Sequence, residues 1–311
     1  MDLYICLTPL QTLLAIKIKK GTTNDGQSVF FFHRDNEINR RYYNELSKLM
    51  VSSTEFTIPF SLKMIFQLRK MFKNKSFDTV FFANIDHPGI HYILSFINFN
   101  RIETFDDGTL NISYNGRYYS EVTCKKWKLL FHTLLGRKFD QKRVISEICL
   151  HHTIYKNRRN IINNTHFIDL FDVPTHYHYD LTNSISLFLG GVYSEMTYDQ
   201  NDDNEITLSV KKFLQKNDNI YYIPHPREKS IAFNQYFLPC EYNNMISEHI
   251  IMKLREKYAV VNVYGMASTV QFNVFGMPGV NCILIKNKFL DSITIENIKK
   301  LITMGALCIE I

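Results

Sequence analysis

At 311 residues, 45% of them hydrophobic and 21% charged, the chain has globular composition and enough length for two domains of ordinary size, each with its own core. The net charge of +6 suits an anionic small substrate or an anionic membrane surface. No arginine-rich arm and no aromatics interleaved with basic residues point to nucleic acid, and no run of about 20 apolar residues points to a membrane span.

Strands and helices alternate along the first half. Residues 3–7 form a short buried strand, after which Thr8 caps and Pro9 opens a helix that ends near 17–21. A strand over 28–33 precedes an amphipathic helix over 36–50, with Ile38, Tyr42, Leu46 and Leu49 on one face. A strand over 56–60 leads into a basic helix over 61–75 whose Leu62, Ile65, Phe66, Leu68 and Phe72 are expected to turn inward. Strand 78–83, helix 89–99 and strand 101–106 complete the series. Such alternation implies parallel βαβ units, and runs apolar on both faces, such as Val80-Phe81-Phe82, imply a sheet covered on both sides.

After Gly108 the pattern changes. A hairpin is expected over 111–123 with Asn115-Gly116 at its turn, then a helix over 126–135 with Trp127, Leu130 and Leu134 on one stripe. A strand-like run over 145–155 follows. Residues 156–180 are polar and irregular and carry the linker near their end, which divides the chain into domains 1–180 and 181–311. The second domain opens with a strand over 184–189 running into Gly190-Gly191. Helices over 206–215 and 244–257, strands over 219–223, 259–264 and 280–285, a helix from Ser268 and a last helix over 293–304 complete a second α/β unit.

The six cysteines form no C-x-x-C pair, and most have apolar neighbours, so they read as buried reduced thiols of a cytosolic protein. The apolar stretch over 3–18 is broken by Thr8-Pro9 and Gln11, and Asp2 stands where a signal peptide needs basic residues. The localisation expected is therefore cytoplasmic.

Ligands of an open α/β sheet bind outside the carboxyl ends of its strands. Three strand ends carry chemistry here: Asp106-Asp107-Gly108, His225-Pro226 and Ser268-Thr269. Each has a plain structural reading as well. Asp-Gly is a common turn, and Ser268 is a ready N-cap, although capping and phosphate binding are compatible. Gly190 and Gly191 permit close approach of backbone amides to a phosphate or base and are expected to bound a donor pocket. Glu248 can accept from both ribose hydroxyls, against its ordinary reading as helix surface, and Gln11 lines the acceptor side with Asp106. His87-Pro88 reads as a loop and His151-His152 as structural; His176 and His178 lack a third metal ligand at suitable spacing. No nucleophile elbow, P-loop or dinucleotide fingerprint is present.

The three motifs, in this order, resemble those of the bacterial sialyltransferases of glycosyltransferase family 52. The opening Cys6-Leu7-Thr8-Pro9-Leu10-Gln11 and the stretch His151-His152-Thr153-Ile154-Tyr155-Lys156 are similar to family segments too, so the likeness is collinear over nearly the whole chain. The resemblance implies a GT-B fold, two Rossmann-like domains facing a central cleft, and an inverting, metal-independent transfer with no cofactor. Sialic acid would pass from CMP-sialic acid to a terminal galactose of a surface glycan, lipooligosaccharide or capsule, with an α-2,3 linkage favoured. Asp107 matches the family's general base, His225 the group that assists the departing phosphate beside Pro226, and Ser268 and Thr269 its phosphate contacts. The family also implies a homodimer, and the basic helix over 61–75 together with Lys125-Lys126-Trp127-Lys128 suggests peripheral contact with the inner membrane. Two alternatives stay open: a GT-B transferase for another nucleotide sugar, and a non-catalytic nucleotide- or glycan-binding relative.

Overall fold

The structure is a computed structural model that describes residues 1–33, 35–57, 59–114, 116–120, 126–170, 183–199, 202–217, 219–228 and 233–311. The chain divides into two compact units, Met1–Leu170 and Phe171–Ile311.

The first unit is built from β1 (Asp2–Cys6), α1 (Pro9–Lys20), β2 (Gly26–Phe32), α2 (Glu37–Ser47), β3 (Ser52–Thr57), α3 (Leu62–Phe72), β4 (Ser76–Phe82), α4 (Pro88–Phe96) and β5 (Asn98–Phe105). Helices α5 (Lys126–Leu134) and α6 (Gln141–Glu147) and strands β6 (Ile148–Thr153) and β7 (Thr165–Phe167) follow. Its seven strands are all parallel, in the order β3-β2-β1-β4-β5-β6-β7. The chain runs outward from β1 to β3, then returns to place β4 on the other side of β1. The strand order therefore reverses between β1 and β4, and a crevice opens there at the carboxyl ends. Every residue of β1 is buried, as the central position requires. The core on one sheet face joins Leu3, Ile5, Val29, Phe31, Val80 and Phe82 to Leu68 and Phe72 of α3 and Ile90 and Ile93 of α4.

The second unit contains β8 (Ser184–Leu189), α7 (Asp202–Lys216), β9 (Ile220–Ile223), α8 (Ser247–Arg255), β10 (Val260–Gly265), α9 (Thr269–Val274), β11 (Val280–Lys286), α10 (Ser292–Thr303) and β12 (Leu307–Glu310). Its five parallel strands run β12-β11-β10-β8-β9, so the reversal falls between β8 and β10.

Helix starts follow the capping chemistry of the sequence: Thr8, Asn36, Ser61, Asp140, Ser268 and Asp291 each accept a backbone N–H three residues on. Several expectations are corrected. The third strand is Ser52–Thr57 rather than 56–60, because it pairs residue by residue with Gln27–Phe32 and ends before Pro59, which has no N–H to donate. The hairpin over 111–123 does not form among its described residues. A 3-10 turn, Gly108–Asn111, replaces its start, and the hydroxyl of Tyr119 bonds back to the Asn111 carbonyl at 2.6 Å. Asn115 and residues 121–125 lie outside the described residues. The run over 145–155 divides into the end of α6 and the strand Ile148–Thr153. The edge strands β7 and β12 went unseen, since they are exposed throughout and show no alternation.

One helix face also differs from expectation. Leu62 and Phe66 of α3 are exposed, as are Trp127, Leu130 and Leu134 of α5; periodicity marks an apolar face but does not supply the surface that covers it. Among the described cysteines Cys6 and Cys282 are buried, whereas Cys149, Cys240 and Cys308 are exposed, so the expectation of buried thiols holds for two of them. None of the five is in a disulfide.

Candidate active site

In the first unit the polar groups gather at the carboxyl ends of β1, β4 and β5. Gln11 sits in the first turn of α1, fully buried. Its Oε1 accepts the Leu7 amide at 2.8 Å, which fixes the side-chain orientation, and both hydrogens of Nε2 are used: one to Asn84 Oδ1 at 2.7 Å, the other to Asp107 Oδ1 at 2.7 Å. On Asp107 Oδ2 converge Asn84 Nδ2 and the Tyr118 hydroxyl, the latter at 2.7 Å. The Arg117 guanidinium stands 3.5 Å from the same oxygen, and also 3.1 Å from Asp86. Asn111 Oδ1 accepts the Asp107 backbone N–H at 2.9 Å, and Gly108 takes the left-handed φ of 54° that lets the strand turn there.

A carboxylate offers about four lone-pair positions. Gln11, Asn84 and Tyr118 occupy three, which leaves one on Oδ1. The Asp107 side chain keeps 12% of its exposure. Gln11, Asn84 and Tyr118 thus hold the carboxylate rigid beside the Arg117 guanidinium and leave an acceptor position open, which is how a base is pre-positioned for a substrate hydroxyl. Burial raises the Tyr118 hydroxyl well above the ordinary range, and the Asp107 charge raises it further, so Tyr118 remains a donor. Burial also raises the pKa of Asp86.

Asp106 is a correction. The sequence placed it with Gln11 on the acceptor side, but just past the end of β5 Asp106 turns inward with no exposure. His151 Nε2 contacts its Oδ1 at 3.0 Å and the Ile154 amide its Oδ2 at 2.7 Å, while Thr104 holds His151 Nδ1 at 2.8 Å. Asp106 and His151 therefore clamp β5 to β6. His87, expected in a loop, packs its ring 4.9 Å from that of Phe31, and burial lowers its pKa to about 4.

In the second unit His225 follows β9. Its Nδ1 accepts the Arg227 amide at 3.1 Å, which leaves the proton on Nε2. Burial lowers its pKa, with the nearby Arg227 charge adding to the effect, so the ring is neutral at neutral pH and offers Nε2–H as a donor. The His225 backbone N–H donates to Glu228 Oε2 at 3.1 Å, and Tyr222 donates to the same carboxylate at 2.9 Å. Pro226 is exposed beside it and closes the turn.

Gly190 has a reason other than ligand approach. A Cβ there would collide with the Tyr222 hydroxyl and lie 2.6 Å from Glu228 Oε2. The glycine makes room for the Tyr222–Glu228 pair that holds the His225 turn. A Cβ at Gly191 would meet the flexible end of Met196 at 3.0 Å and the Tyr193 ring at an ordinary contact distance of 3.5 Å.

Ser268 N-caps α9 in a complete capping box with Gln271, each side chain bonding the other residue's amide at 3.3 Å. Its hydroxyl accepts in the cap, so its hydrogen stays available to a ligand. Ala267 just before it has φ 58°, a left-handed conformation unusual for alanine that makes the strand-to-helix turn sharp. Thr269 is exposed at the first helical position. Glu248, taken as a ribose contact or a solvated surface residue, is neither exposed nor free. It is 6% exposed, accepts Asn273 Nδ2 at 2.8 Å, and burial raises its pKa. It fastens α8 to α9.

The structure thus bonds Gln11 directly to Asp107 and sets Gly190 against the Tyr222–Glu228 pair that holds the His225 turn. It separates Asp106 from Asp107, and among the described residues no bond joins His225 to Ser268 or Thr269. The sequence reading missed Asn84, Tyr118 and Arg117 in the first unit and Tyr222 and Glu228 in the second. Asn84 was detectable, since it ends an apolar strand run as Asp107 does; Tyr118 was not, because irregular chain carries it back. Among the described residues no group of three His, Cys, Asp or Glu side chains is placed to hold a metal.

These are two doubly wound α/β units, the first with polar side chains collected where its strand order reverses and the second with His225 and Ser268 at the carboxyl ends of β9 and β10. The sequence profile of Glycosyltransferase family 52 matches residues 28–289, and the chain belongs to that family. It is 31% identical over 282 residues to a CMP-N-acetylneuraminate:beta-galactoside alpha-2,3-sialyltransferase of Pasteurella multocida (strain Pm70), covering 86% of each chain. It is 28% identical over 293 residues to an N-acetyllactosaminide alpha-2,3-sialyltransferase of Haemophilus influenzae (strain ATCC 51907 / DSM 11121 / KW20 / Rd), covering 92% of each. Among solved structures, MurG of Acinetobacter baumannii is similar at a TM-score of 0.47 and 10% identity, over 99% of this chain and 86% of that one.

Proposed function

We propose that this glycosyltransferase is an inverting sialyltransferase that moves sialic acid from CMP-sialic acid to a terminal galactose of a bacterial surface glycan, forming an α-2,3 linkage. The observation that carries the reading is the Asp107 carboxylate, held by Gln11, Asn84 and Tyr118 with one lone pair open. The names and coverage of the two relatives supply the donor and the linkage. The acceptor oxygen attacks the anomeric carbon as its proton passes to Asp107, and the bond from that carbon to the CMP phosphate breaks. The phosphate leaves with the electron pair. Its charge is met by His225 Nε2–H and the hydroxyls of Ser268 and Thr269, so a neutral imidazole assists as a hydrogen-bond donor. No metal or cofactor is needed in this scheme, and the enzyme works as a homodimer of the GT-B type.

Incubation with lactose and CMP-sialic acid, followed by linkage analysis of the product, tests the proposal. Sialyl-α-2,3-lactose is expected. Transfer from a UDP- or GDP-sugar instead, with none from CMP-sialic acid, would overturn the donor assignment.

A further inference from the structure

The residues used above leave α5 and the outer face of α3 without a role. Helix α5 has the pattern of a buried amphipathic helix, with Trp127, Leu130, Phe131 and Leu134 at the spacing that lines one side. Yet these side chains are 63%, 63%, 42% and 77% exposed. On α3 the residues Leu62 and Phe66, one turn apart, are 51% and 60% exposed. The two surfaces adjoin. The His132 ring of α5 bonds the Tyr92 hydroxyl of α4 at 2.8 Å. Arg69, on the same side of α3 as Leu62 and Phe66, stacks over Phe96 of α4, and its guanidinium lies 3.8 Å from a Cβ built at Gly136 just past α5.

The two chain segments that carry this apolar patch hold charged residues of one sign, the second of them lying between Glu121 and Asp140. Residues 61–77 carry Lys63, Arg69, Lys70, Lys73 and Lys75 and no acidic residue. Residues 122–139 carry Lys125, Lys126, Lys128, Arg137 and Lys138 and again none. Of these, Lys63, Arg69, Lys70, Lys73, Lys128, Arg137 and Lys138 form no ion pair among the described residues. Lys128 lies with its ammonium 5.6 Å from the Trp127 ring centre, the usual company of an interfacial tryptophan. Among the described residues no helix is long and apolar enough to cross a membrane.

A short helix with Trp, Leu and Phe on one side and lysines beside them matches the chemistry of a helix lying in the boundary of a bilayer. A second copy placed face to face would set this uncompensated positive charge against itself, whereas an anionic phospholipid surface supplies the opposite charge and accepts the apolar side chains. We propose that α5, with Leu62 and Phe66 of α3, docks the protein peripherally on an anionic phospholipid bilayer, Trp127, Leu130 and Leu134 entering the acyl boundary.

Trp127 is the chain's one tryptophan, so its fluorescence reports the contact directly. The full chain is titrated with vesicles of phosphatidylglycerol and phosphatidylethanolamine, and with phosphatidylcholine vesicles, at low and high salt. Anionic vesicles are expected to shift the emission to the blue, to expose Trp127 to quenching by brominated acyl chains, and to carry the protein in flotation. Leu130→Glu/Leu134→Glu is expected to lower partitioning at least about tenfold, and Lys63→Glu/Lys70→Glu to do so at low salt only, both with an unchanged unfolding temperature. The proposal fails if wild type shows neither shift nor flotation on anionic vesicles. It fails equally if emission is already blue without lipid and Leu130→Glu/Leu134→Glu converts a dimer to a monomer in sedimentation, since a second copy then covers the helix.

Discussion

Replacing Asp107 by Asn is the most informative single change, because the structure separates its two effects. Asn keeps one acceptor oxygen and puts an NH2 where the other stood. If that NH2 takes the Oδ1 position, it faces Gln11 Nε2, which cannot turn because Leu7 holds its carbonyl end. If it takes the Oδ2 position, it faces Asn84 Nδ2, while the Tyr118 hydroxyl can rotate to accept. Either way one donor meets another in a largely buried place, at a cost of about 1–3 kcal/mol. For a unit of this size that lowers the unfolding temperature by about 2–10 °C. The rate should suffer separately. Loss of the proton acceptor predicts a fall of about 10²-fold or more in kcat, equivalent to about 2.7 kcal/mol of activation free energy. CMP affinity should not change, as the groups assigned to CMP belong to the other unit. Tyr118→Phe is the control: it removes one bond to Asp107 at a comparable stability cost but leaves the carboxylate, so kcat should drop only a few-fold. The assays are initial rates with lactose, CMP titration and thermal unfolding on both variants. Equal losses of rate for equal losses of stability would mean that Asp107 only holds the turn, and a wild-type kcat in Asp107→Asn would refute the base assignment outright.

Gly190→Ala should displace Tyr222 and Glu228 and with them the His225 turn, weakening CMP binding, while Gly191→Ala should bind CMP normally; isothermal titration of both variants checks this. Buried His91 has a pKa lowered to about 4 by desolvation, so between pH 6.5 and 4 the unfolded chain binds the extra proton and stability falls as pH falls. Since Glu248 and Asp86, with raised values, act in the opposite direction, the test is a difference. His91→Gln, which can still donate to the Ile85 carbonyl, should lose up to one proton's worth of slope in that window when unfolding is followed against pH. Activity should be unchanged by EDTA; loss on chelation with recovery on adding magnesium or manganese would contradict the metal-independent scheme.

The helix starts were legible in the sequence because capping is local: Thr8-Pro9 and Ser268 write their own helix beginnings. So were the central strands, whose runs of apolar residues are long enough to signal burial on both faces. The glycine after Asp107 likewise announced a turn at a strand end. Other features depended on partners distant in sequence. Asp106 and Asp107 are neighbours of the same type, and only the pairing of β5 with β6 turns one into a buried clamp and the other toward Gln11, Asn84 and Tyr118. Gly190 looked like room for a ligand until Tyr222 and Glu228 were seen to fill it. Leu62 and Phe66 on α3 read as core because periodicity records that a face is apolar, whereas burial depends on what the rest of the chain brings against it. Local rules thus fixed where elements begin and which stretches are apolar. The meaning of each polar residue came from strand order and side-chain convergence, which are properties of the packed units and have no signature at short range.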